Sequence, residues 1–562
     1  MPLDLWPLSP PGRLIHEDRD LVAIDKPPFV PTHAPERSDD AHRRLTAHYE
    51  ALQPGAPVYL GVHQRLERDA SGVLVFTRRR EANRSIAEQI ERRRARRTYV
   101  ALVRGTPGML GRGKGPDQGV LRHRLAPGDG GHRVLPPNAR TGQASTVFFR
   151  VLERRGDRTL LALTPEAGCP VDLPAQLGAE QAPIVGDVAR GGEMAHRLAL
   201  HLEELVLEHP EGGRPLTLRA PLPAFFSDFL EGKAGLSDVD AIERRLREAA
   251  ERRVGIARLP GTDAFRLANA AGDGLPGVTV DRYGDFLVIS LYDEEAEAAR
   301  ERILDAAFRL GPTGIYLKIR PKHASRIVDA REPQFAPKDP VRGEPAPDPL
   351  IVHELGVPYE VRLGDGLSTG IFLDQRENRR RVREMAAGLS IANLFAYTCP
   401  FTVAVADKAR RTVSVDVSRG ALEWARRNLD RIGADPAAHV LVEADAIKWL
   451  EKSAAKEGPF DLLILDPPSF ATTKQTRFSA ESDYKKLATS AIRVLAPGGR
   501  LLACTNHKGI PRAKFKRMLQ DAARDAGRGE AQVKEWPEPE DYPPEPGNEP
   551  HLKTVLVTVG GG

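Results

Sequence analysis

Between residues 389 and 470, short apolar runs alternate with segments of helical periodicity. Ser390-Ile391-Ala392-Asn393-Leu394, Val413-Ser414-Val415-Asp416, Val440-Leu441-Val442-Glu443-Ala444-Asp445 and Leu462-Leu463-Ile464-Leu465-Asp466 read as strands that are largely apolar on both faces. That pattern predicts a parallel sheet covered by helices on each side. Ligands of such sheets sit beyond the carboxyl ends of the strands. Asp416, Asp445 and Asp466 end three of these strands, so three carboxylates are expected in one crevice. Arg500-Leu501-Leu502-Ala503-Cys504-Thr505-Asn506 is expected as a further strand with its tip there. Upstream, Tyr359-Glu360-Val361 and Gly370-Ile371-Phe372-Leu373 are predicted strands leading into a helix capped by Asp374. Gln375 and Arg376 would then occupy its first turn beside the ligand, with the arginines that follow pointing outward.

The other patterns divide the chain. Up to residue 225, strand-like runs dominate, among them Leu21-Val22-Ala23-Ile24, Val73-Leu74-Val75-Phe76 and Tyr99-Val100-Ala101-Leu102-Val103, with a basic helix expected over 85–97. Residues 226–258 include the charged amphipathic run Ala241-Ile242-Glu243-Arg244-Arg245-Leu246-Arg247, a linker helix with Glu243 placed to pair with Arg247. Residues 259–342 alternate short strands with one helix over 293–309, a small mixed α+β domain. A Pro-rich stretch at 344–349 precedes the last domain, taken as 343–562. The whole is a multidomain α/β chain, too long at 562 residues for one core.

Composition adds little by itself. The net charge is +5, compatible with RNA, and the basic residues cluster at Arg78-Arg79-Arg80, Arg92-Arg93-Arg94 and Arg379-Arg380-Arg381 with Arg383, faces that could neutralise phosphates. Cys169, Cys399 and Cys504 lie far apart without metal-ligand spacing, so neither a metal nor a disulfide framework is expected and the cytosol is the expected compartment. No apolar run reaches the length of a membrane span.

A carboxylate ending the second strand can accept both hydroxyls of a ribose, and one ending the third can take an adenine amino group. A nicotinamide site would want a Gly-rich first turn, and none follows Asn393. With Leu373-Asp374-Gln375-Arg376, Asp416-Val417-Ser418 and Asp466-Pro467-Pro468-Ser469-Phe470, this region resembles the class I S-adenosylmethionine-dependent methyltransferases, with their Rossmann-like fold. More narrowly it is similar to the large-subunit ribosomal RNA methyltransferases. The resemblance implies S-adenosylmethionine held by Gln375, Arg376, Asn393, Phe395, Tyr397, Thr398, Asp416, Ser418, Asp445 and Asp466, with Asp466, Pro467 and Asn506 at the methylated base. One departure is that the family has Gly-Gly where this chain has Cys399-Pro400, which removes a backbone donor.

The first block resembles the RluA-type pseudouridine synthases through Glu17-Asp18, Lys26-Pro27, Arg65-Leu66-Glu67-Arg68-Asp69-Ala70-Ser71-Gly72, Thr98-Tyr99 and Val185-Gly186-Asp187. It departs from them where the chemistry lies. Glu67 stands in place of the catalytic Asp, and Pro174 in place of the active-site Arg. Tyr99 alone of the three positions is kept. The expectation is an RNA methyltransferase, acting on large-subunit ribosomal RNA at a base nitrogen, guanine favoured, with a degenerate synthase-like module that holds RNA. Three alternatives stay open: a bifunctional enzyme that also isomerises uridine, a cytosine carbon-five methyltransferase, and a non-catalytic assembly factor.

Overall fold

The computed structural model describes residues 13–34, 39–107, 116–128, 131–233, 235–320, 334–472, 477–529 and 531–560. The amino-terminal part is built on one eleven-stranded sheet. Its central strands, Ser71–Thr77, Arg96–Arg104, Arg158–Pro165 and Leu200–Glu208, carry a core that includes Val73, Val75, Val100, Leu161, Leu163 and Leu202. The basic helix expected over 85–97 runs instead from Arg80 to Glu91, and Arg96 and Arg97 open a strand. Thr98, Tyr99, Val100 and Val103 beside them are β-branched or aromatic, and the pairing of this segment with Leu200–Glu208 overrides the local helical pattern.

The helix Val239–Arg252 buries Ile242, Leu246, Ala249 and Ala250 against a five-stranded sheet made of Ala264–Asn269, Val278–Tyr283, Phe286–Leu291, Gly314–Ile319 and Arg342–Gly343. The single helix expected over 293–309 is two, Glu294–Ala298 and Arg300–Phe308.

The carboxyl-terminal sheet has seven strands: β1 (Ser390–Leu394), β2 (Arg411–Asp416), β3 (His439–Glu443), β4 (Phe460–Leu465), β5 (Leu495–Thr505), β6 (Gln532–Trp536) and β7 (Lys553–Thr558). Their order is β3-β2-β1-β4-β5-β7-β6. β1 to β5 are mutually parallel, and β7 runs antiparallel between β5 and β6. Helices α1 (Arg376–Met385), α2 (Pro400–Val405), α3 (Arg419–Arg431), α4 (Ala446–Lys452), α5 (Ala480–Arg493) and α6 (Arg512–Asp525) cover the two faces. One face buries Leu463, Leu465, Leu501 and Ala503; the other buries Leu462, Ile464, Leu502 and Cys504. That is the two-sided burial expected of strands apolar at every position. The chain order reverses between β1 and β4, and the crevice opens at their carboxyl ends.

Candidate active site

Between β1 and α2 the chain turns through Phe395, Tyr397 and Cys399, with φ of 56°, 53° and 59°. Left-handed backbone costs a side chain about 1–2 kcal/mol per residue, so the loop stores strain that its surroundings must hold. Asp416, at the end of β2, supplies part of that hold. Its Oδ2 accepts the Tyr397 N–H at 2.8 Å while its Oδ1 accepts the Ser418 N–H at 2.8 Å. Ser418 in turn caps α3 by accepting the Ala421 N–H. Cys399 takes the backbone form a glycine would, and Pro400 occupies the first position of α2, where a missing N–H costs nothing. The Cys399-Pro400 departure is thus compatible with the loop's shape while leaving it one donor fewer.

The structure brings Gln375, Phe395, Tyr397, Asp416 and Asp466 to the strand ends. Asp445 is there too, as the cap of α4, its Oδ1 accepting the Ile447 and Lys448 N–H groups. Asn393 is buried within β1 and donates to Thr402 at 3.1 Å, and the Thr398 hydroxyl donates to the Gly370 carbonyl. Both buttress the loop from beneath.

Three expectations from the sequence do not hold. Arg376 does not face the crevice: it is fully buried and paired through both nitrogens with Asp541, at 2.7 and 2.9 Å. Asp374 does not cap α1; it lies inside a short 3₁₀ turn, Leu373–Gln375, and Gly370–Phe372 is an irregular approach to it. Gly370 has a φ of 108°, and a Cβ there would lie 2.4 Å from the Trp424 ring.

Asp374 is a site residue that the sequence did not single out. It is half-buried, makes no hydrogen bond among the described residues, and its charge falls on Asp466. The loss of hydration, and then Asp374, push the Asp466 carboxyl up to about 7, against the pull of a Gln375 hydrogen bond at 2.8 Å and of Arg379. Val417, 57% exposed beside Asp416, and Phe372, 51% exposed against Tyr397, add apolar surface to the rim. An exposed apolar residue between Asp416 and Ser418 was the available signal.

Beyond β4, the Asp466-Pro467-Pro468-Ser469 turn meets the tip of β5. Ser469 Oγ donates to Asn506 Oδ1 at 2.8 Å, and Phe470, 69% exposed, packs its ring edgewise on His507. Cys504 is buried below, with its sulfur 3.8 Å from Gln375 Oε1 and from Thr554 Oγ1. Burial and the Asp466 charge push its thiol well above the ordinary range. Among the described residues, therefore, no cysteine thiolate faces the crevice.

The third arginine cluster is largely neutralised within the fold, with Arg381 donating only to the Pro537 carbonyl among the described residues. Arg379 is buried in a two-nitrogen pair with Glu354, Arg380 pairs with Glu377 and Glu384, and Arg383 with Asp407. Arg78 and Arg79 pair with Glu17 and Asp20. Arg92 and Arg94 stay exposed without an ion pair among the described residues.

In the amino-terminal sheet, Glu67 sits on the exposed loop before the strand Ser71–Thr77. Lost hydration, then the charges of Asp172 and Asp69, raise its carboxyl, and Arg190 is the cation that opposes them. Arg190 is itself paired with Asp187. Tyr99 is buried close by, and Pro174 opens the helix Leu173–Ala179 capped by Asp172. Glu67 makes no ion pair among the described residues.

A seven-stranded sheet of this order, with carboxylates at three strand ends and an Asp-Pro-Pro turn on the fourth, defines a class I methyltransferase domain. Residues 278–556 match the family model described as S-adenosylmethionine-dependent methyltransferase, and residues 20–176 match that of RNA pseudouridylate synthase. The chain is 36% identical over 301 residues to the ribosomal RNA large subunit methyltransferase I of Aeromonas hydrophila, covering 53% of this chain and 74% of that protein. It is 35% identical over 303 residues to the protein of the same name from Klebsiella pneumoniae, covering 54% and 74%. Among solved structures, a methyltransferase complexed with SAH, SMU.776, aligns at a TM-score of 0.51 and 30% identity, over 57% of this chain and 82% of that one. A SAM-dependent methyltransferase from Streptococcus mutans aligns at 0.52 and 28%, over 63% and 88%. The chain belongs to the S-adenosylmethionine-dependent methyltransferases, and carries a pseudouridine synthase-like module in front.

The donor set fits that cofactor. Carboxylates at the ends of β2 and β3 suit hydroxyl and amino groups, and the Asp374–Asp466 pair suits a cationic sulfonium and ammonium.

Proposed function

We propose that this enzyme methylates a base nitrogen of RNA, with large-subunit ribosomal RNA as substrate and guanine as the favoured base. The observation that carries the atom assignment is the Ser469–Asn506 hydrogen bond at the mouth of the crevice, set against the buried Cys504. Methylating carbon five of cytosine requires a thiolate to add to the ring first. An amide at that place can instead hold a base edge, and the ring nitrogen seven of guanine has a free lone pair that needs no base to remove a proton. The likeness to the Aeromonas and Klebsiella enzymes supports ribosomal RNA as the substrate.

When bound, the cofactor supplies an electrophilic methyl group on a sulfonium. The chain's part is positional and electrostatic. Asp416 orients the nucleoside end, Asp374 and ionised Asp466 balance positive charge at the other end, and Pro467 with Pro468 turns the backbone so that Ser469 and Asn506 meet the base. Phe470 offers an exposed ring on which it can stack. The synthase-like module is proposed to hold RNA without isomerising it. Its carboxylate stands among other carboxylates, whereas glycosidic cleavage needs a carboxylate whose charge a cation fixes.

The test is methyl transfer from labelled S-adenosylmethionine to ribosomal RNA of a strain lacking the gene, followed by mass analysis of the modified nucleoside. A methylated guanosine is expected. A 5-methylcytidine product would return the assignment to cytosine, and no transfer would favour an assembly role.

A further inference from the structure

The outer part of the amino-terminal sheet is covered on one side only. The strand Gln143–Arg155 alternates as far as a bulge at Leu152, with Val147 and Phe149 buried in the core and Phe148 facing out at 46% exposure. The neighbouring strand Gln118–Gly128 matches it. Val120, 37% exposed, lies directly opposite Phe148; Gln118 lies opposite Arg150 and Arg122 opposite Thr146. Directly opposed residues in an antiparallel pair share a face, as do residues two apart on a strand. Arg133, opposite Ala126, shares that face by the same rule. The result is an exposed apolar pair, Val120 and Phe148, flanked along the strands by Arg122 on one side and Arg150 on the other, with Arg133 further along the same face. All three arginines are exposed and none pairs with a carboxylate among the described residues. Arg124, on the same face, spends its guanidinium on the Thr141 and Gly142 carbonyls.

This face is not the synthase-like site. Tyr99 pairs with Leu163, and Leu163 with Phe149, so the Glu67 and Tyr99 site belongs to the opposite side from Phe148. The turn carrying Arg92, Arg93 and Arg94 adjoins the sheet, since Arg93 donates to the Gly168 carbonyl just beyond the strand Arg158–Pro165.

We infer that this face binds single-stranded RNA, one base stacking on Phe148 and the arginines taking the flanking phosphates. An exposed ring in the middle of a sheet is a stacking platform for unpaired bases, and unpaired guanidiniums around it match a polyanionic backbone. A second copy of the same chain would bring the same arginines against one another. The inference rests on RNA being the substrate, and adds a second RNA-holding surface remote from the crevice, where no chemistry occurs.

The test uses the full chain and a fluorescent single-stranded oligouridine of about 16 nucleotides, with the salt dependence of its affinity measured. Phe148→Ala should weaken binding about fivefold or more, and Phe148→Trp should restore it. Arg122→Ala with Arg150→Ala should lower the salt slope by about 1.4, about 0.7 for each phosphate of a single strand no longer neutralised. Crosslinking with 4-thiouridine should label the peptide that contains Phe148. Because Phe148 is exposed, each variant should keep the parent's thermal unfolding and cofactor affinity. Unchanged affinity and slope, with crosslinks elsewhere, would overturn the inference while leaving the enzyme an RNA methyltransferase. So would loss of self-association in the variants with RNA binding intact. A chain that binds no RNA would overturn this inference and the proposed substrate together.

Discussion

Gln375 Nε2 donates to Asp466 Oδ2 at 2.8 Å, and this bond joins the first turn before α1 to the Asp-Pro-Pro turn after β4. It steadies a carboxylate that burial and Asp374 otherwise drive toward protonation, up to about 7. Asp374 and Asp466 carry like charge, Arg379 is the opposing cation, and Gln375 is neutral. If ionised Asp466 is the form that meets a cationic cofactor, affinity for S-adenosylmethionine should be flat above pH 7. Below it, affinity should fall by up to about tenfold per unit. Titration calorimetry near pH 6 in buffers of different ionisation enthalpy should show proton release on binding. The sign for stability is opposite. A carboxyl whose folded pKa is raised favours the protonated folded state, so this group's penalty in the cofactor-free protein is fully present above pH 7. It is relieved as the pH falls toward 4. Asp466→Asn should remove this group's share of both dependences and leave that of Asp374, whose carboxyl burial also raises.

Asp416 has two duties, holding the Tyr397 amide and, as proposed, a ribose. Asp416→Ala removes charge-assisted hydrogen bonds worth about 1.5–3 kcal/mol, so cofactor affinity should fall about tenfold or more. Calorimetry of the purified variant measures it, and an unchanged dissociation constant would reject the ribose assignment.

Replacing Cys504 by Ser should leave methyl transfer in place, because the thiol packs beneath the crevice against Gln375 and Thr554. Asn506→Ala should lower the rate of transfer. A Cys504→Ser enzyme that folds and binds cofactor but transfers nothing would show that the thiol reaches the base.

Uridine isomerisation should be absent. Tritium release from carbon five of labelled uridine in ribosomal RNA should match the background, with Glu67→Gln indistinguishable from the parent. Release abolished by that change would establish a second activity.

Arg376 and Asp541 are both buried and share two hydrogen bonds. Arg376→Ala strands a buried carboxylate, which costs about 3–5 kcal/mol. The double variant Arg376→Ala with Asp541→Ala should lose less than the two single losses added, as chemical denaturation would show.

The sheet is legible in the sequence because β4 and the second half of β5 are apolar at nearly every position and β1 and β2 carry only small polar side chains between their apolar ones, a pattern few other environments reward. The three strand-end carboxylates follow from that alone. Gly370 to Leu373 reads as a strand and is not one: Ile371, Phe372 and Leu373 form an apolar run, but a glycine with positive φ and the press of Trp424 turn the chain there. The arginines of α1 mislead for a different reason. Glu354 and Asp407, which neutralise Arg379 and Arg383, lie 25 and 24 residues away, and no local pattern announces them. Arg376 looks like a ligand for the same reason, since Asp541 is 165 residues distant. Asp374 passes for a cap because an acidic residue before a helix usually is one.

The carboxyl-terminal end of the helix Val239–Arg252 is fastened to two parts of the chain. Glu248 takes Arg197 and His196, and Glu251 takes Arg13 and Arg44, all from the synthase-like part of the chain. One residue past its end, buried Arg253 binds Asp273 of the central domain and the Asp541 carbonyl of the loop that also seats Arg376. A cut just after residue 258 would therefore leave Asp273 and Asp541 facing a vacated guanidinium site. The methyltransferase half should not melt as an independent unit. Heated as a whole, the chain should lose its front module and its catalytic crevice in a single calorimetric transition.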